Sequence, residues 1–296
     1  MSKSYKKTGC VMNIKNRGII EIHVAVFLFG LSGLFGKLLT LSALVIVFGR
    51  TFFAFWALLA FLIYSKKSFS TRATKDLIIL ILPGIVLAIH WISFFHAIQL
   101  STIAIGLLTF STFPLFVTFM EPCFFKEKLK VFDIFTAIFV FLGIFFIIPE
   151  FNLKNDITLG AFWGIFSGFT FAVLSLLNRK YVADYSSIII AFYQNLTAAL
   201  FLLPFFFWEN PNITLREYFL LAFLGIFCTA LAHGLFINSL INIKTQLASI
   251  ITGLEPLYGI IFAAIFLKEI PELRIILGGI IILGTIFIAT IRTYLK

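Results

Sequence analysis

Residues 244–269 read KTQLASIITGLEPLYGIIFAAIFLKE. The run is apolar almost throughout, with Glu255-Pro256 at its middle and Lys268-Glu269 at its end. A helix of about 20 such residues crosses a bilayer, whereas barrel strands show alternating segments of about ten. The stretch 142 positions earlier, TIAIGLLTFSTFPLFVTFMEPCFFKE (residues 102–127), carries Pro114 where the later one has Pro256, and Lys126-Glu127 where it has Lys268-Glu269. The same shift lays Gly18 on Gly160, Lys37 on Arg179 and Ala88 on Ala230. A mid-span proline and a span-end Lys-Glu pair are hard to repeat by chance even in a biased composition.

Working outward, apolar runs occupy residues 18–38, 42–64, 77–98, 102–125, 131–149, 158–178, 187–208, 216–238, 244–267 and 273–293. These runs predict an all-α integral membrane fold of ten transmembrane helices. The division is a basic tail (1–17), a first five-helix repeat (18–149), a linker (150–157) on the side away from the tail, and a second five-helix repeat (158–293). Five is odd, so the second repeat enters the membrane from the opposite side and the repeats are inverted. That arrangement suits alternating access. The first run is too long for a signal-peptide core and lacks a cleavage site, so it is expected to remain as a span.

Composition agrees. Of 296 residues, 61% are hydrophobic and 12% charged, against about 25% charged in soluble domains. A cytosolic enzyme, a disulfide scaffold and a nucleic-acid binder are excluded, despite a net charge of +10. Seventeen of the 23 Lys and Arg fall on the side of the N-terminal tail, five on the other, and Arg50 inside a span. The positive-inside rule then puts both termini in the cytoplasm. Cys10, Cys123 and Cys228 have no metal-type spacing and receive no role. The 40 Phe residues accompany abundant Ile, Asn and Lys and read as genome bias.

Ionisable groups inside a membrane are expensive and therefore candidates for function. Glu255, beside the helix-distorting Pro256, can hold a proton or a substrate cation, or else stabilise the kink; its repeat counterpart is Phe113. Arg50 can bind a substrate carboxylate, or pair with Glu255 or Glu121. Glu121, followed by Pro122, is expected near the cytoplasmic interface. His90 and Trp91 of span 3, near His96 and Gln99, have an echo in His233 and Asn238 of span 8, and line a cavity or pack between helices. Gln194 and Asn195 of span 7, with Tyr193, offer amide contacts or interhelical bonds, and Tyr258 follows Glu255 closely. Gly30, Gly33 and Gly36, and Gly160, Gly164 and Gly168, form stripes for close packing, expected to face a central axis.

Two five-helix halves, the glycine-rich span 6 ending in Asn178-Arg179, Arg50, Glu255-Pro256-Leu257 and the span-end Lys-Glu pairs together resemble the EamA-type transporters of the drug/metabolite superfamily, over about residues 18–292. The resemblance implies an inner-membrane carrier with a central cavity between spans 1, 3, 4, 6, 8 and 9. It implies that Glu255 and Pro256 form the mid-span-9 element, that Pro114 is its mate, and that Glu127 and Glu269 fix helix ends. Phe113 in place of a second acid and the His-rich span 3 depart from the pattern.

The expected function is secondary transport of small polar or amphipathic, amino-acid-like metabolites, with export as the direction. Substrate binding or coupling is expected at Glu255, His90, Trp91, Arg50, Gln194, Asn195, His233 and Tyr258. The expected partners are a small-molecule substrate, a coupling proton and the lipid bilayer, with no cofactor, metal or nucleic acid. A flippase for a lipid or lipid-linked sugar on the same fold is the alternative. No nucleotide-binding loop and no His-Glu-x-x-His element occurs, so neither an ATP-driven pump nor an enzyme is expected.

Overall fold

A computed structural model of the chain describes residues 14–66, 74–125, 129, 131–148, 152 and 154–294. Cys10, Glu127 and the basic residues Lys3, Lys6, Lys7, Lys67, Arg72, Lys126, Lys128, Lys130 and Lys296 lie outside them. Every regular element among the described residues is helical. In order they are α1 (Ile14–Leu38), α2 (Ala43–Tyr64), α3 (Thr74–Leu100), α4 (Ile103–Phe110), α5 (Phe113–Phe125), α6 (Val131–Ile147), α7 (Asp156–Tyr181), α8 (Ser187–Glu209) and α9 (Leu215–Gly225). A π-helical segment (Ile226–Leu231) joins α9 to α10 (Ala232–Ser239), and α11 (Thr245–Thr252), α12 (Glu255–Phe262) with a π-helical end (Ala263–Leu267), and α13 (Leu273–Tyr294) follow.

Seven stretches of the described residues are long and apolar enough to cross a membrane: Asn16–Leu38, Ala43–Tyr64, Leu80–Leu100, Ile103–Phe125, Asp156–Tyr181, Ser187–Glu209 and Leu215–Ser239. Three apolar helices, Ile134–Ile147, Glu255–Leu267 and Leu273–Ile288, are shorter. Large apolar side chains cover the outside, among them Phe141 and Phe145 of α6 and Ile280 and Phe287 of α13. In water such a surface would drive aggregation; against lipid tails it is the matching solvent.

Two runs expected to be continuous are broken: 102–125 into α4 and α5, and 244–267 into α11 and α12. Pro114 and Pro256 are each the second residue of the downstream segment. Proline has no N–H to give the carbonyl four residues back and its ring crowds that carbonyl, so the chain steps over at 111–112 and at 253–254. Tighter backbone bonds take up the step, Thr112 N to Thr109 O (3.2 Å) and Leu254 N to Ile251 O (3.0 Å). Hydroxyls donate to further carbonyls: Ser111 to Leu107 (3.0 Å), Thr112 to Thr109 (2.8 Å) and Thr252 to Ala248 (2.9 Å).

The glycine stripes seat these broken helices. A β-carbon at Gly164 would overlap the Thr109 hydroxyl, and one at Gly168 would lie 2.8 Å from Phe110 O, so α7 rests directly on the α4–α5 break. Gly30 of α1 likewise admits α12, where an added β-carbon would come within 2.6 Å of Tyr258 Cβ and 3.1 Å of Glu255 O. Gly33 and Gly36 turn instead toward Leu107 of α4 and Ile98 of α3. Each stripe thus contacts more than one helix.

Both ends of the bundle carry polar ties. At the end where α1 begins, Asn238 Nδ2 donates to both carboxylate oxygens of Glu21 (2.9 Å each), Arg17 Nε donates to the same group (2.9 Å), and Ser187 Oγ donates to Asn238 Oδ1 (2.9 Å). At the far end, Lys37 Nζ donates to Ser101 O (2.8 Å), Gln99 Nε2 to Leu41 O (2.8 Å), Thr40 Oγ1 to Glu217 (2.6 Å) and Ser42 Oγ to Glu209 (2.6 Å). Glu217 also closes a capping box with Thr214 at the start of α9.

The packing makes a testable contrast. Gly164→Val should lower the melting temperature in detergent, at an overpacking cost of about 1–3 kcal/mol. Gly284→Ala, where an added β-carbon meets nothing within 4 Å, should leave it unchanged or raise it.

Candidate functional site

The site begins with a cation placed where it cannot reach water. Arg50 lies on the inward face of α2 and is 1% exposed. Its Nε donates to Thr229 Oγ1 (2.9 Å) and its Nη2 to Cys228 O (3.3 Å). Its guanidinium carbon lies 3.8 Å from the Trp91 ring centroid and 5.3 Å from that of Phe95. A desolvated cation over an aromatic face gains about 2 kcal/mol, and each hydrogen bond to a charge about 1.5–3 kcal/mol. Thr229 belongs to the π-helical segment and donates its own hydroxyl proton to Leu224 O, five residues back (2.8 Å). With that proton committed, the oxygen presents only lone pairs to Arg50. Single π turns recur at functional sites for this kind of re-aiming.

Around the guanidinium, Phe29, Ser32, Phe94, Phe110, Phe171, His90, Trp91, His233 and Glu255 close a cavity with about 20 Å³ open to water centres. That is room for about one water. The Phe171 ring lies 4.8 Å from His90 and 5.5 Å from Phe110, centroid to centroid, and Trp91 meets His233 edge-on at 5.7 Å.

Each imidazole is oriented from behind. His90 Nδ1 is 3.1 Å from Ser167 O and 2.9 Å from Ser167 Oγ; the carbonyl can only accept, so Nδ1 carries a proton, and in the neutral ring Nε2 is the acceptor. His233 Nε2 is 2.9 Å from Gln194 Oε1, and Gln194 Nε2 donates to Asn178 Oδ1 (2.6 Å). The amide oxygen of Gln194 is therefore the acceptor and His233 Nε2 the donor.

Glu255, the first residue of α12, is 4% exposed and lines the same cavity. No ion pair within 4 Å joins it to Arg50 among the described residues. A buried guanidinium and a buried carboxyl group thus face one cavity without closing on each other.

Among the residues singled out from sequence, Arg50, His90, Trp91, His233 and Glu255 meet at this cavity. Gln194 lies behind His233. Asn195 donates to Ala191 O in its own helix (2.8 Å), and Tyr258 packs edge-on against Phe27 with centroids 5.6 Å apart; both stand outside the cavity lining. Glu121 does not pair with Arg50: it is fully buried and its carboxylate is taken by Arg179, whose guanidinium also covers Phe125 at 4.0 Å. His96 lies beside Trp163 (5.4 Å) and Gln99 ties the far end. Glu269 accepts from the Ile103 amide at the start of α4 (2.8 Å); Glu127 lies outside the described residues.

Sequence reasoning missed the phenylalanine wall, Ser32, and the groups behind the site: Thr229, the Cys228 carbonyl, Ser167 and Asn178. Ser32 and Thr229 were detectable as lone hydroxyls in apolar runs. The phenylalanines were not, because 40 of them hide any four.

The model of the EamA-like transporter family matches this chain twice, over residues 16–148 and 158–291. The chain belongs to that family. Its EamA relatives include the uncharacterized transporter YxxF of Bacillus subtilis, 25% identical over 94% of this chain and 91% of that protein. An S-adenosylmethionine uptake transporter of Rickettsia bellii is 25% identical over 84% of each chain. The pseudopaline exporter CntI of Pseudomonas aeruginosa is 25% identical over 92% of this chain and 95% of its own. A solved crystal structure superposes with a TM-score of 0.69 over 93% of this chain and 96% of the other, at 14% identity, which is likeness of fold. This EamA chain is a multi-pass membrane protein, and its family and named relatives are transporters rather than enzymes.

Arg50 yields a discriminating pair of variants. Thr229→Val keeps the shape but leaves a charged donor unpaired, and should destabilise by about 1.5–3 kcal/mol in thermal unfolding. Cys228→Ala should be nearly silent, because only the backbone carbonyl at 228 serves Arg50.

Proposed function

We propose that this EamA-family chain is a secondary transporter that carries small zwitterionic, amino-acid-like metabolites across the inner membrane by alternating access between two inverted five-helix repeats (18–149 and 158–293), with both termini cytoplasmic. The observation that carries the reading is a buried guanidinium and a buried carboxyl group that line one cavity without pairing. Arg50 takes the solute carboxylate, Glu255 takes the ammonium, and Phe29, Phe94, Phe110 and Phe171 take the apolar body. Two relatives, one an S-adenosylmethionine uptake transporter and one a pseudopaline exporter, support the solute class. Alternating access is symmetric, so gradients of solute and ion set the direction of net movement.

Packing supports the repeat reading. α2 lies against α8 and α6 against α13, which pairs each helix with its proposed mate. α1 packs on α10 as α7 packs on α3, and α1 on α12 as α7 on α4 and α5. Exchanging the halves maps these contacts onto one another. The excess of Lys and Arg on the tail side supports the orientation. A cavity with room for one water is an occluded state, and exchange with either side requires an end of the bundle to open.

Proteoliposomes supplied with labelled amino acids and small metabolites, with and without a pH gradient, test the reading. Wild type should show saturable transport of a zwitterionic class. Arg50→Lys should lower the transport efficiency about 10- to 100-fold, the equivalent of one lost charged hydrogen-bond set. Glu255→Gln should abolish accumulation driven by the pH gradient. Gradient-driven accumulation by Glu255→Gln would remove Glu255 from proton coupling, and wild type that moves no soluble solute would overturn the proposed function.

A further inference from the structure

A second groove in the bundle is larger than the central cavity. It holds about 500 Å³ and shares no lining residue with the cavity around Arg50. Its walls are α2 (Ala57, Leu58, Phe61) and the strip from Ile226 through Leu231 and Leu235 to Ile241. Phe61, Ile226, Leu231 and Ile241 are each at least 40% exposed, so the groove opens sideways, toward the surroundings of the bundle.

Its chemistry is sorted along its length. The polar lining, Arg17, Glu21, Ser186, Ser187 and Asn238, gathers where α1 and α8 begin and α10 ends. The other end, at Ile226 and Ala230, is wholly apolar and abuts the π-helical segment that holds Arg50. From Asn238 to Ile226 the helical rise is about 18 Å, against about 15 Å for one leaflet of a 30 Å hydrocarbon core. A groove one leaflet deep, polar at headgroup level, apolar below and open to the side has the form of a single lipid chain.

Charge selects the head. Glu21 is buried, and its carboxylate is met by two bonds from Asn238 and one from Arg17, so its charge is answered locally. The Arg17 side chain is 63% exposed and spends Nε on Glu21, leaving its other N–H groups for a ligand. Lys3, Lys6, Lys7 and Lys15 precede it in the chain. We propose that this groove binds one anionic phospholipid of the tail-side leaflet, an acyl chain lying along Leu58, Phe61, Ile226, Leu231 and Leu235 and the phosphate at Arg17. The lipid is a resident ligand, separate from the transported solute.

Gly234 provides the test, since it lines the groove and a β-carbon there meets nothing within 4 Å. Purified protein is delipidated, loaded with phosphatidylglycerol or phosphatidylcholine, and examined by native mass spectrometry and thermal unfolding. Wild type should retain one phosphatidylglycerol and be stabilised by it more than by phosphatidylcholine. Gly234→Trp should fill the groove and lose both effects, while its melting temperature without lipid stays at or above that of wild type. Should that variant not fold, Arg17→Gln at the surface decides: it should reduce the preference for phosphatidylglycerol about fivefold, the share of one basic residue at an anionic surface. Equal retention of both lipids by wild type, unchanged phosphatidylglycerol binding in folded Gly234→Trp, or an unchanged preference in Arg17→Gln would each overturn the proposal.

Discussion

A guanidinium buried inside a membrane protein must find its fixed partners in the protein rather than in water. Arg50 meets this demand with the Trp91 face, the Thr229 hydroxyl and the Cys228 carbonyl. Arg50 and those groups come from three separate elements, α2, α3 and the π-helical segment, so the cation dictates their registers relative to one another. Sliding any of them by one residue would leave a buried charge unpaired, which costs about 3–5 kcal/mol. The π turn answers the same requirement, since its five-residue step commits the Thr229 proton to Leu224 and turns the lone pairs inward. A polar core here acts less as a source of stability than as a specification of arrangement.

Glu255 is placed by a different device. It starts a helix segment because Pro256 cannot continue the one before, and the segment is brought close because Gly30 has no side chain to hold it off. The break and the glycine are both needed. An unbroken helix would carry the carboxylate past the cavity level at a different rotation, and a larger residue at 30 would push Tyr258 and the Glu255 carbonyl away from α1. On the other side of the bundle Gly164 and Gly168 do the same for the α4–α5 break, where Phe113 stands in the place of the acid. The proline break occurs twice while the acid occurs once, so the two breaks are alike in backbone and unlike in chemistry.

The fold was legible because lipid imposes length. Run boundaries read from hydropathy differ from the helix ends by a few residues, as in 187–208 against Ser187–Glu209 and 216–238 against Leu215–Ser239. Prolines announced the two broken helices, although not that the helices would part rather than bend. The site was legible where a residue was costly to bury: Arg50, His90, His233 and Glu255 each declared themselves by being polar in an apolar run. Its walls were not legible, because hydrophobicity carries no rotational signal in a helix that is apolar all round. Glu121 illustrates the limit. Its identity was readable, yet its partner Arg179 stands at the end of a different span, and only the packing of α7 on α5 joins them.

The two ends of the bundle differ in a way that the individual contacts do not reveal. At the far end, Glu209, Glu217 and Glu269 accept from Ser42, Thr40 and the Ile103 amide, tying together turns that flank α2, α4 and α9. These are ties between neighbouring connections, short and charge-assisted, and all must lengthen together for that end to part. Among the described residues at the tail end, the cluster around Glu21 links α1 to α10 and α8 and the Glu121–Arg179 pair links α5 to α7, and beside the first the bundle is open sideways along a groove about one leaflet deep. Arg50 stands between these regions, held by the π-helical segment that also forms the blind end of the groove. The π distortion at 226–231 is therefore the one turn of backbone shared by the Arg50 contacts and the groove, so a shift of the groove wall would be felt at the buried cation.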